Sequence, residues 1–186
     1  MIRSHRFSIL MCAGLMSAAV AMAPTRASAA TAAELRRDAS SALASLYRTQ
    51  PAAKALGQRA RAILVFPDMV KAGFMFGGQI GEGALMKGGK TVAYYNSVGA
   101  SYGLQAGAQK FGYALFFMTD AALHQLEATD GFEIGVGPSV VVVDEGVAKS
   151  VTSNTVTSDV YAFIFSQKGL MAGLGIQGSK ITKISK

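Results

Sequence analysis

Apolar positions change their period along the chain. Phe7 to Ala23 is an almost unbroken apolar run preceded by Arg3 and Arg6. After it, Leu35, Ala39, Leu43 and Leu46 recur at helical spacing, and Thr31 with Glu34 makes a T-x-x-E capping box, which predicts an amphipathic helix that Pro51 stops. A second helical stretch follows over residues 52–61, with Gly57 as its weak point. From Ile63 the period becomes two, and β-branched and aromatic residues take over. The pattern predicts strands over residues 63–66, 72–86, 91–96, 101–109, 113–118, 132–143, 161–166 and 170–177. Gly88-Gly89 and Asp144-Glu145-Gly146 read as hairpin turns. One short helix over residues 120–127, capped by Thr119, interrupts the sheet before the turn Thr129-Asp130-Gly131.

Glycines fall repeatedly on one face of these strands: Gly73, Gly77, Gly81 and Gly83; Gly99, Gly103 and Gly107; Gly131, Gly135 and Gly137; Gly169, Gly173 and Gly175. A glycine face either permits sharp curvature or lets a second layer approach the backbone closely. The predicted fold class is therefore α+β: a strongly curved antiparallel β-sheet or barrel-like core, with N-terminal amphipathic helices and one short inserted helix. The competing reading of G-x-x-x-G, a pair of transmembrane helices, fits poorly, because Lys71, Glu82, Lys87, Lys110 and Glu133 lie among the repeats.

Charge sharpens the division. Residues 30–71 hold seven bases (Arg36, Arg37, Arg48, Lys54, Arg59, Arg61, Lys71) against three acids, whereas everything beyond balances at eight against eight. The first six bases are the candidate electrostatic contact with a negative partner. Leu35, Leu43 and Leu46 are either an inserting face or core contacts of the same helix. Lys180, Lys183 and Lys186 form a second basic cluster that is expected beside it.

Residues 1–29 read as a signal peptide: a basic start, the apolar run, and Ala27-Ser28-Ala29 as the small-x-small site before cleavage at Ala29-Ala30. The alternatives are an uncleaved anchor, with a run barely reaching the ~20 residues a span needs, and lipoprotein processing at Cys12, disfavoured by Met11. The remaining residues, 30–186, make one domain, helical over 30–62 and sheet over 63–186. Export places it in the periplasm or at the outer membrane. Without Cys12 the chain has no cysteine, so stability rests on its core rather than disulfides.

The search for chemistry returns little. His124 is the one histidine beyond the leader, and it sits in a predicted surface helix. There is no cysteine nucleophile, no H-E-x-x-H and no phosphate loop, since 73–83 lacks both the strand-to-helix context and the lysine-serine ending. Asp130, Asp144 and Glu145 lack the spaced carboxylate ladder of a calcium loop. No catalytic residue, metal site or cofactor is expected, and export with a modest charge argues against nucleic acid.

Four motifs then stand in order: AILVFPDMVKAGFMFGGQIGEGALM, YGLQAGAQKFGYALFFMTD, FEIGVGPSVVV and YAFIFSQKGLMAGLGIQGSKI. In this order they resemble the SYLF domain family, over about residues 55–184. The resemblance implies a non-enzymatic domain that binds membrane lipids, phosphoinositides in animal and yeast members, with a basic amphipathic N-terminal helix that helps dock the membrane. It also implies actin binding or bundling in fungal members. Many members carry a tryptophan and a proline in the strand after the Gly88-Gly89 turn, where this chain has Thr91 to Ser97 with neither. That departure, with the export signal, makes actin and phosphoinositides poor partners and an anionic bacterial phospholipid the expected one. The alternative is a structural or protein-interaction domain of the envelope that turns the same basic face to an acidic protein.

Overall fold

The computed structural model describes residues 30–128, 131–133, 139–143, 157–170 and 179–186. Two helices come first, α1 (Ala32–Thr49) and α2 (Pro51–Gly57). The predicted box closes α1: the Thr31 hydroxyl accepts from the Glu34 backbone N–H at 3.3 Å, and Glu34 Oε2 accepts from the Thr31 N–H at 2.9 Å. These bonds hold the Glu34 carboxyl below its ordinary range. The second helix stops at Gly57, four residues short of the predicted end.

The spine of the sheet is a long hairpin, β1 (Ala62–Lys87) and β2 (Lys90–Phe117), paired antiparallel from Ala62↔Phe117 to Lys87↔Lys90. Gly88 and Gly89 turn it at φ 54° and 77°, the left-handed backbone such a turn requires. The free edge of β2 is shared end to end by two later strands. β6 (Ser179–Ile184) pairs with its first part and β5 (Val160–Leu170) with its last. β3 (Phe132–Glu133) extends the sheet beyond β6, and β4 (Val140–Val143) extends it beyond β5. The helix α3 (Asp120–Ala128) follows β2, and its first turn is closed by the Thr119 hydroxyl accepting from the Ala122 N–H at 3.3 Å.

The sheet curls strongly into a half-barrel, as the glycine faces predict, but it is mixed rather than antiparallel, because β4 runs parallel to β5. Other expectations need correcting. The five predicted strands between residues 63 and 118 are two continuous ones. Pro67 and Asp68 do not end β1; they form a bulge between Phe66 and Met69. A second bulge lies directly across β2, between Phe165 and Lys168 of β5, where Ser166 adopts φ 52°. Bulges on both neighbours of Phe111–Tyr113 bend the sheet along one line. Of the predicted strand 132–143, β3 and β4 are described. Residues 171–177 and the turn 144–146 lie outside the described residues, as do Gly135, Gly137, Gly173 and Gly175. β6 is a strand that the sequence pattern does not predict.

The glycines show what the curl needs. A Cβ on Gly83 would lie 2.6–2.9 Å from the Phe66 ring, and one on Gly81 would meet the Met69 sulfur and lie 2.9 Å from the Asp68 carbonyl. The two ends of β1 thus fold over each other on the concave face. That face holds one core, with Phe66, Met69, Tyr95, Phe111, Tyr113 and Phe117, plugged by Leu123 and Leu126 of α3. The convex face carries the other, where Ile63, Val65, Met86, Phe116 and Phe163 pack under α1 and α2.

Candidate functional site

Four of the six candidate bases, Arg36, Arg37, Arg48 and Lys54, lie on α1 and α2 outside the convex core, and Arg59 and Arg61 lie in the turn between α2 and β1. The leucine stripe settles its own alternative: Leu35 and Leu46 are 3% and 0% exposed and Leu43 packs partly buried on the convex core, so the stripe is a core contact and not a free inserting face. The reason is the sheet beneath, whose apolar convex surface is covered by these two helices. Eleven residues apart, or about three helical turns, Arg37 and Arg48 point away from that stripe, and Arg36 stands on its flank.

All six bases are exposed. Arg37 Nε is 3.1 Å from Asp38 Oδ1 and Arg61 Nε is 3.5 Å from Asp120 Oδ1, both pairs open to solvent. Arg36, Arg48 and Lys54 form no ion pair with another described residue. Open pairs of this kind are worth little, so the layer presents net positive charge. The start of α1 is clamped to the sheet: the Tyr94 hydroxyl donates to the Ala32 carbonyl at 3.1 Å, and Lys186 Nζ donates to the Ala30 carbonyl at 2.5 Å and to Glu82 Oε2 at 2.7 Å. Lys186 therefore reaches the residue just ahead of the α1 cap, whereas Lys180 and Lys183 stay exposed on β6.

Two clefts open at the C-terminal end of this layer. One, of about 370 Å³, is polar and lined by Arg59, Arg61, Met118, Thr119, Thr157 and Ser158. The other, of about 320 Å³, is mainly apolar, with Leu43, Tyr47, Ile63 and Met86 in its wall and Gly88-Gly89 at its rim. Arg61 lines both. Its backbone is fixed by an N–H to Phe117 carbonyl bond of 2.8 Å. Sequence reasoning singles out Arg59 and Arg61 but misses the clefts, whose walls come from segments far apart in the chain.

A separate exposed feature lies on the sheet. Ile80 and Val98 are cross-strand partners, 57% and 48% exposed, and Lys180 is paired with Val98 on the next strand. No helix among the described residues is long and apolar enough to cross a membrane.

A family model described as Ysc84: Las17-binding protein actin regulator matches residues 98–186. The family so described is the SYLF domain family, binding domains associated with actin and lipids, and residues 98–186 are similar to it. The match bears out the resemblance over a narrower span: it starts inside β2 and holds the last three of the four motifs, while α1, α2 and β1 lie outside it. Comparison with curated proteins finds no match.

Proposed function

From a chain whose residues 98–186 match the Ysc84 (SYLF) family, we propose a non-enzymatic module that docks on anionic phospholipid surfaces of the bacterial cell envelope. The observation that carries this reading is the helical layer: its apolar stripe is consumed by the convex core, and its outer surface presents Arg36, Arg37, Arg48 and Lys54 to solvent. Each basic residue near an anionic surface contributes about 1 kcal/mol, attenuated over a Debye length of about 8 Å at physiological salt. Because the leucines are buried, insertion adds little, and attraction has to carry the binding. The reading includes export, with cleavage at Ala29-Ala30 ahead of the first described residue; intact mass of the envelope-derived protein tests that step.

Vesicle flotation tests the docking. Wild type is expected to float with vesicles containing anionic phospholipid and not with zwitterionic ones, and to be released as salt rises toward 1 M, where the Debye length is about 3 Å. Arg36→Glu combined with Arg37→Glu is expected to weaken flotation at least about tenfold with little change in melting temperature. Flotation indifferent to lipid charge and salt would refute the reading.

A second reading has its own observation. The exposed Ile80–Val98 pair is an apolar surface on the sheet, of the kind a protein partner covers. The matched family is that of a Las17-binding protein, an actin regulator. In an exported chain the corresponding partner would be an envelope protein.

A further inference from the structure

The two clefts that meet at Arg61 have complementary chemistry. The polar cleft is lined by Arg59 and Arg61 together with Thr157 and Ser158. The backbone N–H groups of Thr157 and Ser158 donate to the Tyr161 hydroxyl at 3.1 and 3.3 Å, which shapes the turn that brings these two residues to the cleft. The Thr119 hydroxyl is spent on Asp159 Oδ1 at 3.1 Å and on capping α3, so it forms wall rather than ligand. The carboxylate beside Arg61 is that of Asp120, 3.5 Å from its Nε and open to solvent, a weak competitor for the arginine. Two cations and two hydroxyl donors in a cleft of this size suit a phosphate group.

On the other side of Arg61 the wall turns apolar. Tyr47 is held against Gly57, where a Cβ would run into its hydroxyl and lie 2.7 Å from its Cζ, so glycine at 57 makes the space Tyr47 occupies. Leu43, Ile63 and Met86 continue the wall. The rim is open, for a Cβ on Gly88 or Gly89 would meet nothing within 4 Å.

We propose that the two clefts form one seat for a single anionic phospholipid, with its phosphate between Arg59 and Arg61 and the first part of an acyl chain against Leu43, Tyr47 and Met86. This deepens the docking function and rests on it: a general electrostatic attachment would bring the protein to the membrane, and the seat would take one lipid out of the surface plane. Arg61, common to both walls, sets the distance between headgroup and chain.

Amide and methyl NMR titration tests the seat, with a monoacyl glycerophosphate below its micelle concentration as the probe and inorganic phosphate and a fatty acid of equal chain length as the two partial probes. The monoacyl glycerophosphate is expected to shift Ser158 and Met86 signals together, with one affinity at least about tenfold tighter than either partial probe. Arg61→Gln is expected to lose that gain, so that the monoacyl glycerophosphate then binds no tighter than the better of the two partial probes. Ala60→Phe, which narrows the apolar cleft from its wall, is expected to weaken the acyl probe and leave inorganic phosphate unchanged. Shifts confined to one cleft, or an Arg61→Gln affinity equal to wild type, would overturn the seat. Flotation reads the docking function separately: a seat that fails in a protein that floats refutes only the seat, and tight seating in a protein that does not float refutes only the docking.

Discussion

The two faces of the curled sheet solve the same burial problem in opposite ways. The convex face is covered by separate helices, which contribute Leu35, Ala39, Leu46 and Leu56 to the core and keep every one of their charges outside. The concave face is covered chiefly by the sheet's own curl, with the short α3 as a plug, and its interior is less uniform. Tyr95, Ser97, Gln109, Tyr113 and Ser179 each bury a side-chain oxygen with no hydrogen-bond partner among the described residues. Register puts them all on that face. Lys71, 3% exposed and paired across the strands with Gln109, joins them there, and burial lowers its ammonium below the ordinary lysine range. A face covered by helices can sort apolar from charged residues around each helix. A strand folded over itself has only alternation for sorting, so polar residues of the inward set are carried inside. The convex side is accordingly free to specialise in surface charge, while substitutions on the concave side register mainly as changes in stability.

The sharpest way to break this comparison is at the glycines. Gly83→Val places methyl groups in the ring of Phe66, which is fully buried. It is expected to lower unfolding free energy by about 3 kcal/mol, the upper part of the overpacking range. Gly78 lies on the same strand but is turned outward, and a Cβ there would have only the Gly99 carbonyl near it, at 3.8 Å. Gly78→Val is expected to be neutral or slightly stabilising. Equal losses in denaturant titrations of the two variants would remove the distinction between the faces.

Next in size is the alkaline limb. Burial raises Tyr113 far above an ordinary phenol, and raises Tyr95 and Tyr47 in the same direction. Below about pH 10, the ordinary tyrosine value, these groups are protonated in both states and stability is unaffected. Above it the unfolded chain releases protons that the folded chain keeps, so stability falls with rising pH. Lys71 acts in the opposite sense: between its lowered folded value and the ordinary lysine value, the unfolded state binds the extra proton and stability rises with pH. Three phenols outweigh one ammonium, and net loss is expected above about pH 10. Tyr113→Phe should flatten that limb. At neutral pH it should cost nothing or gain up to about 1 kcal/mol, because the lost hydroxyl has no partner among the described residues. Melting curves from neutral pH to about pH 11 check both points.

The smallest effect belongs to the convex side. Thr31→Ala removes the cap of α1 and is expected to cost about 1 kcal/mol, read as a lower melting temperature. Since the box holds the Glu34 carboxyl below its ordinary value, its contribution is present above the ordinary carboxylate range and is lost as pH falls through the lowered value.

Much of this was legible in the chain because the signals are local. The T-x-x-E box, Pro51, Thr119 and the Gly88-Gly89 turn each act on their own neighbours, and each appears where its chemistry requires. The curvature was legible for a related reason: glycines spaced by two or four residues mark one strand face. What escaped depends on distant partners. Pro67 looks like a strand end, but its ring sits at a bulge where β1 lends no regular pairing to β2. Ser179–Ile184 alternates weakly, with Ile181 the only fully buried apolar side chain in it, and it becomes a strand because the edge of β2 is waiting beside Tyr94–Gly99. The direction of the leucine stripe could not be read either, because amphipathic spacing is the same whether the apolar face meets a sheet or a membrane. The clefts around Arg61 join segments of α1, both ends of the β1–β2 hairpin and the turn before β5, and no local pattern announces them.

One direct measurement tests the proposed docking and the claim that it uses the helical layer and not the apolar sheet pair. In a Cys12→Ser background, an environment-sensitive fluorophore is attached at Ser41→Cys, on the exposed side of α1 between Arg37 and Arg48, or at Ala100→Cys, exposed beside Val98. On adding anionic vesicles the emission at position 41 is expected to move to shorter wavelength while that at position 100 stays fixed. A shift at position 100 with none at 41 would contradict the account.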